Sequence, residues 1–443
     1  MIERDEVCRV AAVVVTAVVI LECLGSVAST GQPSNGVPEE VVPEDHGQRK
    51  WTIAMYWVSD NDLDEYTDYF IDMWIEQLTN REDIALSVFL DRYDASANIS
   101  TLTEEGWQET KDLGEVNSSS PETLSSFLNY SLTEPALKAD NFMLIVQDHG
   151  NGYLGLCCDE GLPDSNQAKM WMSIDGLGSG IRDGLAISGG EIDIISLDAC
   201  TLGIVEVAYE LRDTASYMVA SVLGVPFDGQ NYIALLSGLS DDPDITPEEL
   251  ACKIVDDYGE WYSAPLGTYP TLYPYMQDFA SLSVIDLRAL GPLKDAFVDF
   301  RDTVLPKDAV LGKPFKDAAV YADASLWTNN MGTWFYPDIK TMFSEFSNSI
   351  RGQYPDVAAA CDAIVGSTDA VVVHDWSSWR TKDVVTGLSV FVCPSIGVFE
   401  VHWDALERIY NAVGLDFVED TGWDLVLMEY FYTTKMYGVP PTA

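Results

Sequence analysis

Short apolar runs alternate with segments of helical periodicity along most of the chain. Residues 51–58, 84–90, 142–146 and 192–197 are dense in Ile, Val, Leu, Phe and Trp, the pattern of strands buried on both faces. Between the first two runs, residues 62–78 set Leu63, Tyr66, Phe70, Met73, Trp74 and Leu78 at helical spacing, which predicts a crossover helix and hence a β-α-β unit. Residues 206–211 predict a helix straight after the fourth run, and 217–221 a further short strand. Later, 281–286 and 387–392 predict strands, and 293–304 and 339–350 helices. No internal repeat or low-complexity block interrupts this order. The expected class is α/β, a mainly parallel sheet with helices on both faces.

The ends of the chain break the pattern. Residues 10–21 form an apolar run interrupted only by Thr16, with Arg4 and Arg9 ahead of or at its start and Ser26-Val27-Ala28 after it. This reads as an export signal over 1–28, although Glu3, Asp5 and Glu6 do not suit one, and an uncleaved N-terminal anchor is the alternative. The run is shorter than the roughly 20 residues that span a bilayer, and no comparable stretch follows, so no integral membrane span is expected and the protein is placed as secreted or cell-surface. Residues 29–50, with Pro33, Pro38 and Pro43 among polar residues, predict a flexible leader, and 433–443 a loose tail.

Charge narrows the partners. The 443 residues carry 71 acidic against 24 basic side chains, a net charge of −47, which repels nucleic acid and anionic membranes and attracts cationic substrates. Apolar residues still make up 47%, enough for a sizeable core. Of eight cysteines, Cys8 and Cys23 fall in the signal, leaving Cys157, Cys158, Cys200, Cys252, Cys361 and Cys393. They form neither a dense disulfide framework nor a C-x-x-C zinc pattern, so no metal ligands are assigned.

Candidate chemistry sits at two strand ends. There are four histidines, His46, His149, His374 and His402; His149 follows the run 142–146 in Asp148-His149-Gly150. Cys200 ends the later run as Asp198-Ala199-Cys200, ahead of the predicted helix. Carboxyl ends of parallel strands are where such sheets build sites, and a helix N-terminus favours a thiolate. Singly, a buried core cysteine or a structural histidine is the commoner explanation; both at one sheet edge point to a nucleophile and its acid/base.

These motifs, with Asn61-Asp62-Leu63-Asp64, Leu90-Asp91-Arg92, residues 112–117, residues 206–211, Gly387-Leu388-Ser389-Val390 and Asp420-Thr421-Gly422-Trp423, make the chain resemble the clostripain family of cysteine peptidases, of the caspase-like clan, over about residues 51–432. The resemblance implies a caspase-like three-layer sandwich, with a catalytic core over 51–270 and a C-terminal extension, 271–432, completing or packing on it. It implies a secreted endopeptidase that cleaves peptide or protein substrates after Arg or Lys. Cys200 is then the nucleophile, His149 the acid/base, the N–H groups of Gly150 and Cys200 the oxyanion donors, and Asp198 and Asp228 the acids that meet the basic side chain. Self-cleavage after Lys169 is expected from the exposed character of residues 159–170. A monomer with no required cofactor is implied; calcium dependence occurs in the family and is not assigned to residues. The rivals are a related peptidase of other specificity and a catalytically silent binding protein of the same fold. Cys157 and Cys158 depart from the family pattern and either bridge elsewhere or simply pack.

Other signals are weaker. Asp60-Asn61-Asp62-Leu63-Asp64 imitates the start of a calcium loop, but Glu65 and Ile71 stand where that loop needs Gly and Glu, so a helix N-terminus is the better reading. Residues 175–180, rich in glycine, fit no nucleotide-binding pattern and are read as a flexible turn. The minimal serine-hydrolase and zinc-protease motifs are missing from the sequence.

Overall fold

The computed structural model describes residues 49–161, 171–265, 274–307, 309–323, 336–392, 410 and 414–429. The predicted signal, most of the leader, Lys169, His46, His402, Cys393 and the tail lie outside them. Strand β1 (Arg49–Ser59) alternates its neighbours: Ala54, Tyr56 and Val58 face one core, and Trp51, Ile53, Met55 and Trp57 the other. Both faces are therefore apolar, which is why the sequence shows a continuous run rather than alternation. The strand starts inside the segment assigned to the leader, because Arg49 and Lys50 donate backbone bonds to Lys138 and Asp83.

From β1 the chain runs through helix α1 (Asp64–Ile75), β2 (Ile84–Arg92), β3 (Ala95–Thr103), β4 (Gly106–Gly114), α2 (Pro121–Thr133) and β5 (Ala139–Gln147). Then follow β6 (Leu156–Cys158), β7 (Trp171–Met172), α3 (Ile174–Ser188), β8 (Ile194–Asp198), α4 (Val205–Glu210) and β9 (Tyr217–Ala220). Beyond them lie α5 (Tyr232–Asp241), α6 (Pro247–Ser263), β10 (Ser281–Asp286), α7 (Leu290–Val304), α8 (Gly312–Ala322), α9 (Ile339–Ile350), α10 (Pro355–Val371) and β11 (Val372–Ser377). Nine strands form one sheet in the order β11-β10-β9-β8-β5-β1-β2-β3-β4. The central five, β2, β1, β5, β8 and β9, are parallel, and β10 and β3 turn antiparallel at the flanks. Helices α2, α3 and α7 to α10 fill one face, and α5 and α6 cover the other. This is a three-layer α/β sandwich. Residues from both sides of position 270 contribute strands to the same sheet.

Three segments differ from the sequence reading. The sequence reading does not predict the hairpin β3–β4, whose residues are rich in Ser, Thr, Asn and charge; β3 buries Ala97, Ile99 and Leu102 in the two cores, whereas the largely exposed β4 is held by ladder pairing at the sheet edge. Residues 175–180 are no flexible turn but the start of α3, capped by Ser173. Their glycines let neighbours close in: a Cβ on Gly180 would lie 2.8 Å from the Pro121 carbonyl oxygen, and one on Gly178 would lie 2.8 Å from Glu210 Oε1. Residues 387–392 are extended and buried at Leu388 and Val390, yet pair only through single bridges from Ser389 to Ile204 and Asp338. An apolar run records burial, and here the burial lies between helices and the Cys200 turn rather than in a ladder.

Candidate functional site

The last register pair between β5 and β8 is Gln147 with Asp198. Two residues further on, His149 and Cys200 leave adjacent strands at the same level of the carboxyl edge. Gly150 draws the two loops into contact. A Cβ there would fall 2.8 Å from the Cys200 nitrogen and 3.1 Å from the Ala199 carbonyl carbon, with the Cys200 carbonyl oxygen closer still. Only glycine permits that approach, which brings the Gly150 backbone directly against the backbone of Cys200.

Cys200 does not sit at a helix N-terminus, as the sequence suggested. It lies in a turn, and α4 begins only at Val205 without a side-chain cap. The next residue, Thr201, has a φ of 58°, a left-handed conformation that a β-branched side chain adopts only under constraint. The constraint is visible: Thr201 N–H donates to Leu223 O at 2.9 Å and Gly203 N–H to Ser221 O at 2.7 Å. The Val225 N–H donates to Cys200 Sγ at 3.3 Å. Burial pushes the thiol up, that N–H opposes it, and the charges of Asp198 and Asp148 add to the rise. Burial, and not a helix dipole, is thus the leading influence on this thiol.

His149 is partly exposed, and its Nε2 lies 2.7 Å from Asp62 Oδ1. Burial alone would push the imidazole down, but the Asp62 hydrogen bond, together with the charges of Asp148, Asp62 and Glu160, reverses this and raises it. The same bond holds Asp62 below the usual carboxylate range. The preceding residue braces the loop, since Asn61 Nδ2 donates to Asp148 Oδ1 at 2.8 Å and to Cys158 O at 2.7 Å. Asp148 is buried, and burial raises it to about 7. Sequence reasoning missed the roles of Asn61 and Asp62. Their segment was assigned to a helix start, whereas α1 takes only Asp64 and Glu65 into its first turn.

Beneath Cys200, Asp198 is buried at the end of β8. Its Oδ2 accepts from Tyr232 OH at 2.6 Å and Gln230 N–H at 3.1 Å, while its Oδ1 and the hydroxyl of buried Tyr258 have no partner. Burial lifts Asp198 to about 6, against the Tyr232 and Gln230 bonds. Asp228, half-buried in the loop after β9, contributes negative charge at Tyr262, whose hydroxyl donates to Gly229 O at 2.7 Å. His149, Gly150, Cys200 and Asp198 are thus brought together, and Asp228 approaches from the neighbouring loop. His374 is remote, on edge strand β11, paired with Asp256 at 2.8 Å. Cys157 and Cys158 do not bridge: both are buried free thiols, as Cys361 is, and Cys200 and Cys252 are free and partly exposed.

The family model of the clostripain family, Peptidase C11, matches residues 55–430. Among curated proteins no sequence matches the chain. Among solved structures, a secreted C11 cysteine protease from Bacteroides thetaiotaomicron, in complex with an irreversible peptide inhibitor, aligns with a TM-score of 0.58 at 17% identity over 85% of this chain and 99% of that one. An inactive zymogen C11 protease from Parabacteroides distasonis aligns with a TM-score of 0.56 at 16% identity over 86% and 99%. At these identities the likeness is one of fold. Among the described residues no helix is long and apolar enough to cross a membrane.

Proposed function

This chain belongs to the clostripain family and is a cysteine-type endopeptidase, and from that premise we propose that His149 and Cys200 are the dyad of a secreted, monomeric enzyme cleaving after Arg or Lys. The observation that carries the reading is the Gly150 contact, which sets an imidazole, a thiol and two backbone N–H groups on one sheet edge. Cys200 Sγ attacks the peptide carbonyl carbon while its proton passes to His149. The carbonyl π pair moves onto oxygen, where the Gly150 and Cys200 N–H groups receive it. Collapse breaks the C–N bond, and His149 returns the proton to the leaving amine. Water then attacks the thioester, His149 takes its proton, and the thiol is restored as the acid leaves.

Asp62 is a positioning residue in this scheme. The attack written above needs a neutral His149 imidazole to take the thiol's proton, so the productive state is reached as the His149 imidazolium loses its proton, and His149 sets the acid limb of the pH profile. Asp62→Asn removes the largest of the influences that raise His149, so the acid limb of kcat/KM moves to lower pH. It also withdraws support from the imidazolium formed during attack, and kcat falls on the order of 10-fold. An acid limb that stays in place would remove Asp62 from this role.

Specificity for a basic side chain is supported by the unpartnered Asp198 Oδ1 and Tyr258 hydroxyl, with Asp228 near the rim. A guanidinium or ammonium entering there satisfies both the charge and the lone pair. Fluorogenic peptides ending in Arg, Lys, Asn or Asp test this directly. Arg and Lys are expected to be cleaved, and Asp198→Asn to lose roughly 30-fold in kcat/KM on them, about 2 kcal/mol of transition-state binding. Preference for Asn or Asp would overturn the basic pocket while leaving the dyad intact. Self-cleavage after Lys169 belongs to the same reading. Its flanks pair with each other in β6 and β7, and β6 is bridged to Gly150 through Leu156, so both new ends would stay anchored beside the site.

A further inference from the structure

We propose that Asp60, Asp91 and Asp159 bind a calcium ion that fixes the loops carrying Asp62 and Cys158, and through them His149. The three side chains come from the end of β1, the end of β2 and the segment after β6. Each offers a carboxylate oxygen, and these oxygens all lie within 4.8 Å of one another. All three residues have a relative exposure of 0%.

The arrangement is costly without a cation. Neither oxygen of Asp60 or of Asp91 accepts a hydrogen bond of normal geometry, and Asp159 Oδ1 has none either. Only Asp159 Oδ2 is engaged, by Ser118 N–H at 2.9 Å and Ser118 Oγ at 3.3 Å. Among the described residues, no Lys, Arg or His pairs with any of the three. Arg92, next to Asp91, turns instead to Asp64 and Asp68. Exposed Glu115 adds further negative charge from outside. Burial first, and then these neighbouring acids, push Asp60 up to about 7, and burial does the same for Asp91. Buried carboxylates left bare in this way are strongly disfavoured unless a cation or shared protons compensate.

The donors are all oxygens, so the site suits a hard cation and not zinc or copper. Magnesium keeps several of its own waters, whereas calcium accepts a cage of carboxylates and carbonyls with little water. Three wholly buried carboxylates therefore favour calcium. The first residues of the acidic segment thus divide their work. Asp60 points to this cluster, Asn61 to Asp148 and Cys158, and Asp62 to His149. Glu160 N–H donates to Asp60 O at 2.8 Å, and the Gly161 backbone lies over the Asp60 carboxylate, where a Cβ would meet Oδ1 at 2.8 Å. A cation here ties the segment around Asp159 to β1 and β2. That it thereby positions His149 rests on the dyad reading above; that it binds at all does not.

The test uses the full-length chain as a Cys200→Ala protein, so that neither activity nor self-cleavage enters the readout. After stripping with EGTA at pH 7.5, 1 mM calcium is expected to raise Tm by roughly 5 °C, and magnesium by much less. Terbium is expected to bind at one equivalent, with luminescence sensitised through the aromatic residues of β1. Asp91→Asn is expected to abolish the calcium shift and the terbium signal, and to melt higher than the parent in EGTA because a buried charge is gone. No calcium shift and no stoichiometric terbium signal in the parent overturn the proposal, whether or not the variant folds. A shift that survives in Asp91→Asn places calcium elsewhere and overturns it too. An equal response to magnesium overturns the choice of calcium. In the active enzyme, calcium is then expected to raise kcat; binding without that effect would retire only the link to His149.

Discussion

Cys200→Ala is expected to lower kcat/KM on Arg and Lys peptides on the order of 10⁴-fold or more while the fold persists, since the nucleophile is the one part of the scheme with no substitute. The side chain's packing role is small. Its sulfur accepts the Val225 N–H and lies near the Gly224 backbone, so truncation leaves one donor poorly satisfied at a cost of about 1 kcal/mol. Circular dichroism and Tm should change little. The same experiment can be read chemically. A peptide bearing a basic residue and an electrophile should label the wild type once and the variant not at all. Cys252 is the internal control, a free and partly exposed thiol on α6 whose pKa is raised by burial and by the charges of Glu248 and Asp256. Exposure alone does not make a thiol reactive. Labelling that moves to Cys252, or hydrolysis that survives in the variant, would remove Cys200 from the mechanism.

What the sequence disclosed follows from which physical terms leave a local trace. The strands β1, β2, β5 and β8 are buried on both faces, so their apolar runs were legible, and the turns after β5 and β8 carried His149 and Cys200 into view. The hairpin β3–β4 left no such trace, because the buried apolar positions of β3, Ala97, Ile99 and Leu102, are separated by polar residues, and the exposed β4 is held by backbone bonds that do not depend on side-chain type. The glycines of 175–180 signalled close packing, not bending, and only the neighbours Pro121 and Glu210 distinguish the two. The Cys200 turn was misjudged by a few residues. That shift replaced a helix dipole with burial and reversed the expected direction of the thiol's pKa. Asp60, Asn61 and Asp62 were visible as a run of polar residues; their three separate destinations depend on loops about 30 to 100 residues away in the chain.

Gly150→Ala tests the geometric heart of the site without touching a titrating group. The new Cβ would sit 2.8 Å from the Cys200 nitrogen and 3.1 Å from the Ala199 carbonyl carbon. Both are backbone atoms of a turn already fixed by the strained Thr201 and by the bonds that Thr201 and Gly203 donate to the segment after β9, so the neighbour cannot yield by a change of rotamer. The His149 loop has to retreat instead, and in the proposed mechanism the Gly150 N–H then leaves the point where negative charge develops. Loss of one such donor costs on the order of 10²- to 10³-fold in kcat. Under the proposed specificity KM should move little, because Asp198, at the end of β8, is untouched. Gly189→Ala supplies the comparison: its φ is 69°, but nothing lies within 4 Å of the added Cβ. It carries a backbone penalty of about 1 kcal/mol at the end of α3 and should lower Tm while leaving kcat alone. If the two alanines instead reduce kcat in proportion to the stability each removes, the contact between the two loops is structural only. A fall in kcat confined to Gly150→Ala at equal Tm loss assigns the paired amides to the reaction.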